Sequence, residues 1–306
     1  MTGGILMASS PLDHVFQWTY QKIPVGTGDN WLTPDGHITL VSNHIIMQII
    51  AALVLILLIP RFVRVRDTGD AVHDLTPRGF GNFIEVICAY LRDEVARPAL
   101  GEHTDRFVPY IWTAFFYILT INLLGLLPIE PFTRGLVQAV YPEAHHGFGG
   151  AATGNIWVTG TLAVCTLVMT VVNGLRYNGF NYVRHFFQGP IFIAPLIACL
   201  EVIGLLAKCF ALTVRLFANM VAGHVLLAVL LSFVSLSYVA LGTVPAAGIG
   251  ILVVLAGVAF NLLELFVAFL QAFIFTFLTA LFIGQAVVIH HEHGEEHAEA
   301  EPAASH

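Results

Sequence analysis

Arg215 lies inside the apolar run FALTVRLFANMVAGHVLLAVLL, residues 210–231, and its guanidinium has no neutral form at physiological pH. Holding such a charge in mid-membrane costs roughly 3 kcal/mol on insertion scales. The cation therefore needs a carboxylate, an aqueous cavity or a partner subunit, and each of these marks an ion pathway. The bland alternative is an arginine bonded to backbone carbonyls. Other polar side chains accompany it: Glu201, Lys208, Asn219 and His224 on the same stretch, and Glu264, Gln271 and Gln285 on the next. An imidazole titrates near neutrality and shares a proton with a facing carboxylate through water, so His224 and Glu264 are the residue types for proton transfer.

Spacing orders these residues. Glu201, Lys208 and Arg215 recur at heptad intervals, within about 40° of one helical face, and Asn219 follows Arg215 by one turn. His224 falls about 180° round the helix from Arg215. Glu264 and Gln271 share an azimuth. The two stretches, Pro195–Leu241 and Ala246–Ile289, are separated by Gly242-Thr243-Val244-Pro245. In a hairpin about Thr243, residues equally distant from the turn stand at equal height. That register sets Arg215 level with Gln271, His224 with Glu264 and Glu201 with Gln285. The fixed charge then separates an inner set beginning at Glu201 from an outer set holding His224 and Glu264. A proton cannot pass the guanidinium directly, so two half-channels need a mobile carboxylate on another subunit.

The elements that hold these residues follow from composition. With 57% hydrophobic and 11% charged residues, against about 25% charged for a soluble domain, the chain reads as an all-α polytopic membrane protein in a lipid bilayer. The formal net charge of -7 is concentrated by the glutamates of the C-terminal tail, and it implies no nucleic-acid partner. Cys88, Cys165, Cys199 and Cys209 lack metal or redox spacing and read as small buried hydrophobes. No signal or transit peptide is evident at the N-terminus.

Residues 1–43 are expected to form an external segment and 44–289 the membrane domain. Three shorter spans are expected at about 44–60, 108–128 and 156–176, with an amphipathic interfacial helix at about 80–97. Its apolar positions are Phe83, Val86, Ile87, Tyr90, Leu91 and Val95. Seven of the 13 Lys+Arg residues (Arg61, Arg64, Arg66, Arg78, Arg92, Arg97 and Arg106) fall in the first loop. The positive-inside rule therefore puts the N-terminus outside and the C-terminus in the cytoplasm. The loop 129–155, with Glu130 and His145-His146, reads as a solvated external connection.

The long stretches, about 190–241 and 246–289, exceed the roughly 30 Å hydrocarbon core as single helices. Each either folds into two spans or crosses obliquely, and the lack of a central turn signal favours oblique helices. The tail 290–306, with its HHEHGEEH run, reads as solvated and without rigid metal-site spacing. No G-x-x-x-x-G-K-[ST] loop occurs, so no nucleotide site of that kind is expected. Neither a metal nor a cofactor is implied. Lys208 reads most simply as snorkelling to the inner surface.

RLFANMVAGH (Arg215–His224), with Glu201 upstream and ELFVAFLQAFIFTFLTALFIG (Glu264–Gly284) downstream, resembles subunit a of the rotary F-type ATP synthase. The similarity extends to PLDH (Pro11–His14), NLLGLLP (Asn122–Pro128) and GFNYVRHFFQGP before the first long helix. The resemblance implies that Arg215 is the essential stator charge facing a c-subunit ring, supported by Asn219 and Gln271. It implies a cytoplasmic half-channel with Glu201 and an outer one with His224 and Glu264, and two long oblique helices. Asn122, Lys208 and Gln285 are secondary candidates. Other synthase subunits, including a b-type peripheral stalk, are the implied partners, and ATP chemistry would reside outside this non-catalytic chain. A bacterial plasma membrane is the expected location.

Two positions depart from many bacterial members of the family. They place an acid where His224 stands and a histidine where Glu264 stands, an exchange that one common height leaves chemically equivalent. Gly125 replaces an aspartate found in some members, which opens the question of how protons enter near Asn122. The rival classes are a self-contained anion transporter, which calls for repeats and broken helices, and an intramembrane hydrolase. Ser232, Ser235 and Ser237 find no paired histidine for the latter in the hairpin register.

Overall fold

The computed structural model describes residues 19–24, 37–62, 79–127, 129–140, 149–150, 152–179, 182 and 193–287. Strands β1 (Thr19–Pro24) and β2 (His37–Ser42) pair antiparallel. The helices are α1 (Asn43–Phe62), α2 (Phe80–Tyr90), α3 (Thr104–Leu126), α4 (Glu130–Val140), α5 (Ile156–Asn178), α6 (Ala194–Leu241) and α7 (Thr243–Val287). Five helical stretches among the described residues are long and apolar enough to cross a membrane. The all-helical membrane architecture expected from composition is present, with a small strand pair added ahead of it.

α6 and α7 are each continuous, with 48 and 45 residues. This removes the two-span alternative. At 1.5 Å per residue each is about 70 Å long, more than twice a hydrocarbon core of about 30 Å. The turn between them is a single residue, Gly242, with φ +81°, a backbone region that favours glycine. Pro245 falls in the first turn of α7, where its missing N–H leaves no helical bond unmade.

The interfacial segment is more irregular than its periodicity suggests. α2 runs into a π-helical stretch, Leu91–Ala96, and a last α-turn, Arg97–Leu100. Pro98 has no N–H to offer the carbonyl of Glu94, and the slipped hydrogen-bond ladder lies directly upstream of it. Gly101, with φ +54°, ends the segment. Of the expected apolar face, Leu91 and Val95 are buried while Phe83, Val86 and Tyr90 are exposed. A further difference is α4, which occupies part of the expected external loop. Phe132, Leu136, Val137 and Val140 recur at helical spacing behind Pro131, a signal outweighed by the loop's Gly, Pro and His content. His145-His146, most of the 179–190 loop, PLDH and the C-terminal tail lie outside the described residues.

The described residues pack as two compact units, one drawn from Met1–Leu57, Tyr117–Thr159 and Val214–Gln271, the other from Leu58–Phe116, Gly160–Thr213 and Ala272–His306. The first has a core of Met47, Ala51, Ile121 and Ala152. The second buries one stripe of α7: Ala272, Phe275, Thr276, Thr279, Ala280, Ile283 and Val287. Its small residues allow close helix approach. Thr276 and Thr279 donate their hydroxyls to the carbonyls of Ala272 and Phe275, both at 2.8 Å, so no hydroxyl is stranded.

Exposed leucines, valines and isoleucines cover the rest of α6 and α7, as expected of helices solvated by acyl chains. The cysteines correct the sequence expectation for the same reason. Cys165 and Cys199 are exposed and Cys88 and Cys209 only half-buried, because an apolar side chain in a membrane protein need not face protein.

Candidate proton-pathway site

The first unit holds Arg215, Asn219 and His224 on α6, Glu264 and Gln271 on α7, and Asn122 on α3. α6 buries Leu216 and Met220 and leaves Arg215 exposed. Among the described residues Arg215 makes no hydrogen bond or ion pair. The charge is thus presented outward on an apolar helix. Asn219, one turn on, and His224 are half-buried.

The α7 residues behave oppositely. Glu264 is 8% and Gln271 3% exposed. The Glu264 carboxylate lies directly against Gly223, the neighbour of His224, and a Cβ at 223 would collide with it. Glycine thus lets an acidic side chain approach the α6 backbone at the level of the imidazole. Glu264 Oε1 and Gln271 Nε2 have no hydrogen-bond partner among the described residues. An unmade bond at a buried polar atom costs about 1–3 kcal/mol unless water supplies it, so these atoms fit a hydrated path better than a dry core. Asn122 is also buried. Its Oδ1 accepts from Thr153 Oγ at 3.1 Å, while its Nδ2 is unpartnered.

Glu201, Lys208 and Gln285 belong to the second unit. Glu201 and Gln285 are exposed. Here the hairpin register drifts: Gln285, expected level with Glu201, accepts a hydrogen bond from Lys208 Nζ at 3.2 Å. The same ammonium sits 5.0 Å from the centre of the Phe282 ring. The flexible four-carbon stem of lysine reaches across the helix pair, which an equal-height rule for short side chains ignores. Lys208 is therefore tied to α7 rather than simply extended toward the inner surface. The cavity beside it, lined by Thr166, Thr170, Cys209 and Leu212, holds about 10 Å³, the lower limit for one water.

Several neighbours escaped the sequence reading. Tyr182 is buried, its ring against Gly174 so closely that a Cβ there would clash. Burial holds its phenol above the ordinary tyrosine range, and the nearby Glu201 carboxylate adds to the effect. His44, Asn43, Thr153 and Asn155 form a buried or half-buried polar group with Asn122 in the first unit. The sequence signal was present, since Ser42-Asn43-His44 opens an apolar span, but a polar residue at a helix start reads first as a cap. Among the described residues no three His, Cys, Asp or Glu side chains gather as a metal site.

The geometry thus offers an outward-facing cation, a buried carboxylate packed against the glycine that precedes a histidine, and separate polar positions on the second unit. Comparison with known proteins agrees with such a membrane subunit. The model of the family described as "ATP synthase A chain" matches residues 45–284. An "ATP synthase subunit a" of Anaeromyxobacter dehalogenans (strain 2CP-C) is 40% identical over 269 residues, covering 85% of this chain and 60% of that protein. Subunits of the same name from Myxococcus xanthus and Chloroherpeton thalassium are 38% and 37% identical. Those matches cover 86% and 90% of this chain, and 79% and 72% of the relatives. The chain spans only 53% to 60% of the length of the Anaeromyxobacter relatives. On the extent of the family match and the identity to these relatives, the chain belongs to the ATP synthase A chain family.

Proposed function

We propose that this chain is the stator proton-channel subunit of a rotary ATP synthase. It carries protons through two offset half-channels to and from carboxylates on a ring of c subunits. The observation that carries this reading is Arg215, exposed on an apolar helix and without a partner among the described residues. A permanent cation in that setting is stabilised by a carboxylate supplied from outside the chain. The rotor carboxylate pairs with it transiently and takes a proton on either side of it.

His224 and Glu264 transfer protons in the outer half-channel. Gln271 and Asn219 solvate the region of the guanidinium, and Glu201 serves the cytoplasmic half-channel. Asn122 lies on the outer access route, while Lys208 and Gln285 fix the inner ends of the long helices. The chain itself catalyses no phosphoryl transfer. It makes the roughly 2.3 kcal/mol carried by each proton per 100 mV available only through ring rotation. The bacterial relatives support a bacterial plasma membrane, and the basic first loop supports an external N-terminus and a cytoplasmic C-terminus. A b-type peripheral stalk would keep the chain from turning with the ring.

Replacing Arg215 by alanine removes the barrier between the half-channels. In reconstituted complexes, Arg215→Ala is expected to abolish proton-driven ATP synthesis while leaving passive proton leak in vesicles stripped of the catalytic part. Normal coupled synthesis in this variant would overturn the reading.

A further inference from the structure

His44 opens α1, and 2% of it is exposed. Its Nδ1 is 3.1 Å from the amide nitrogen of Asn155, while Nε2 has no partner among the described residues. Asn155 lies two residues after Thr153, whose hydroxyl binds Asn122. One short turn, Ala152–Gly154 and the residue after it, thus joins a half-satisfied imidazole on α1 to a half-satisfied amide on α3. Asn43 adds a bond from its Nδ2 to the Gly149 carbonyl at 3.2 Å.

Apolar packing begins one turn further along α1, where Met47 and Ala51 meet Ile121 and Ala152. The polar group therefore caps the core at the start of α1, the end of α3 and the start of α5. In the topology read from the basic first loop, those three ends share the outer side. An apolar side chain at position 44 would avoid the cost of an unmade hydrogen bond, about 1–3 kcal/mol. Two such orphaned atoms served by one turn fit a hydrated proton-transfer group better than a structural core.

We infer that His44 is a further proton-carrying side chain of this subunit, placed at the outer mouth ahead of His224 and Glu264. The inference rests on the proton-channel reading above. The Asn155 oxygen accepts from the Trp157 N–H at 2.9 Å, so its Nδ2–H donates to His44 Nδ1 and the neutral ring carries its hydrogen on Nε2. When that amide lets go, Nδ1 takes a proton from outer water, giving an imidazolium, and Nε2–H releases its proton to water on the channel side. Only N–H and O–H bonds change, and the ring ends neutral in its other tautomer.

Passive proton flux driven by a potassium diffusion potential, per assembled complex in vesicles stripped of the catalytic part, tests this. Glutamine keeps hydrogen bonding and approximate size but carries no proton, whereas glutamate can carry one. His44→Gln is expected to lower flux at least tenfold, and His44→Glu to restore it to within about threefold of wild type. His44→Asn replaces the glutamine variant if the latter does not assemble. Full flux in the amide variant, or equal loss in the amide and glutamate variants when all assemble, overturns the relay and leaves a structural role. Wild-type flux no greater than in vesicles lacking this chain would instead sink the channel reading itself.

Discussion

Gly223 shows how one missing side chain shapes the chemistry beside it. In an exposed helix Gly→Ala is stabilising by about 1 kcal/mol, yet at 223 the new methyl would meet the Glu264 carboxylate. Gly257 in α7 has nothing within 4 Å of the same hypothetical methyl. Gly223→Ala is therefore expected to reduce passive proton flux about tenfold or more by displacing Glu264, while Gly257→Ala leaves flux within twofold. Equal flux in the two variants would show that the approach of Glu264 to α6 is irrelevant to transport. At this scale Arg215 was the most legible residue, because a charge in an apolar run is conspicuous whatever the fold. Tyr182 was not, because its proximity to Glu201 depends on a contact with Gly174 that sequence spacing does not reveal.

The long helices illustrate what periodicity can and cannot specify. Their length and the closeness of residue 223 to Glu264 follow from a sequence with one strong break near Gly242, but the turn is a single glycine, since the helix takes up Thr243-Val244-Pro245, expected to separate the two stretches. The partner of Gln285 does not follow, because side-chain reach and helix crossing decide it. A tighter contact governs the far end of α7, where Gly284 lies against the carbonyl of Ala99 in the turn that closes the α2 segment. This obstacle is backbone and cannot rotate away. Gly284→Ala is expected to destabilise the chain by roughly 1–3 kcal/mol, the usual cost of overpacking, seen as a lowered thermal midpoint of the detergent-solubilised complex. An unchanged midpoint would mean that α7 and the Arg97–Leu100 turn are not in contact. The π-helical stretch at Leu91–Ala96, α4 and the β1–β2 pair were hidden by competing signals: an amphipathic α-pattern, Gly and Pro content, and an N-terminal segment too short in alternation to declare strands.

Across the whole molecule, apolarity places the chain in a membrane and gives it two helices of about 70 Å, each more than twice the hydrocarbon thickness. A cation without a partner among the described residues is the basis for proposing that a neighbour supplies the other half of the site. The membrane class and the two long helices were readable because each violates the composition typical of soluble domains. The His44 group was not, since it is assembled from three helix ends distant in sequence. A cryo-EM reconstruction of the assembled complex, resolving the distance from the Arg215 guanidinium to the nearest carboxylate of another subunit, tests the central claim most directly. The account predicts that the guanidinium faces a ring of small rotor subunits, with a carboxylate within about 4–6 Å, the range in which opposite charges act strongly on one another. A guanidinium turned into lipid, or packed among side chains of its own chain with no rotor carboxylate near, would contradict it.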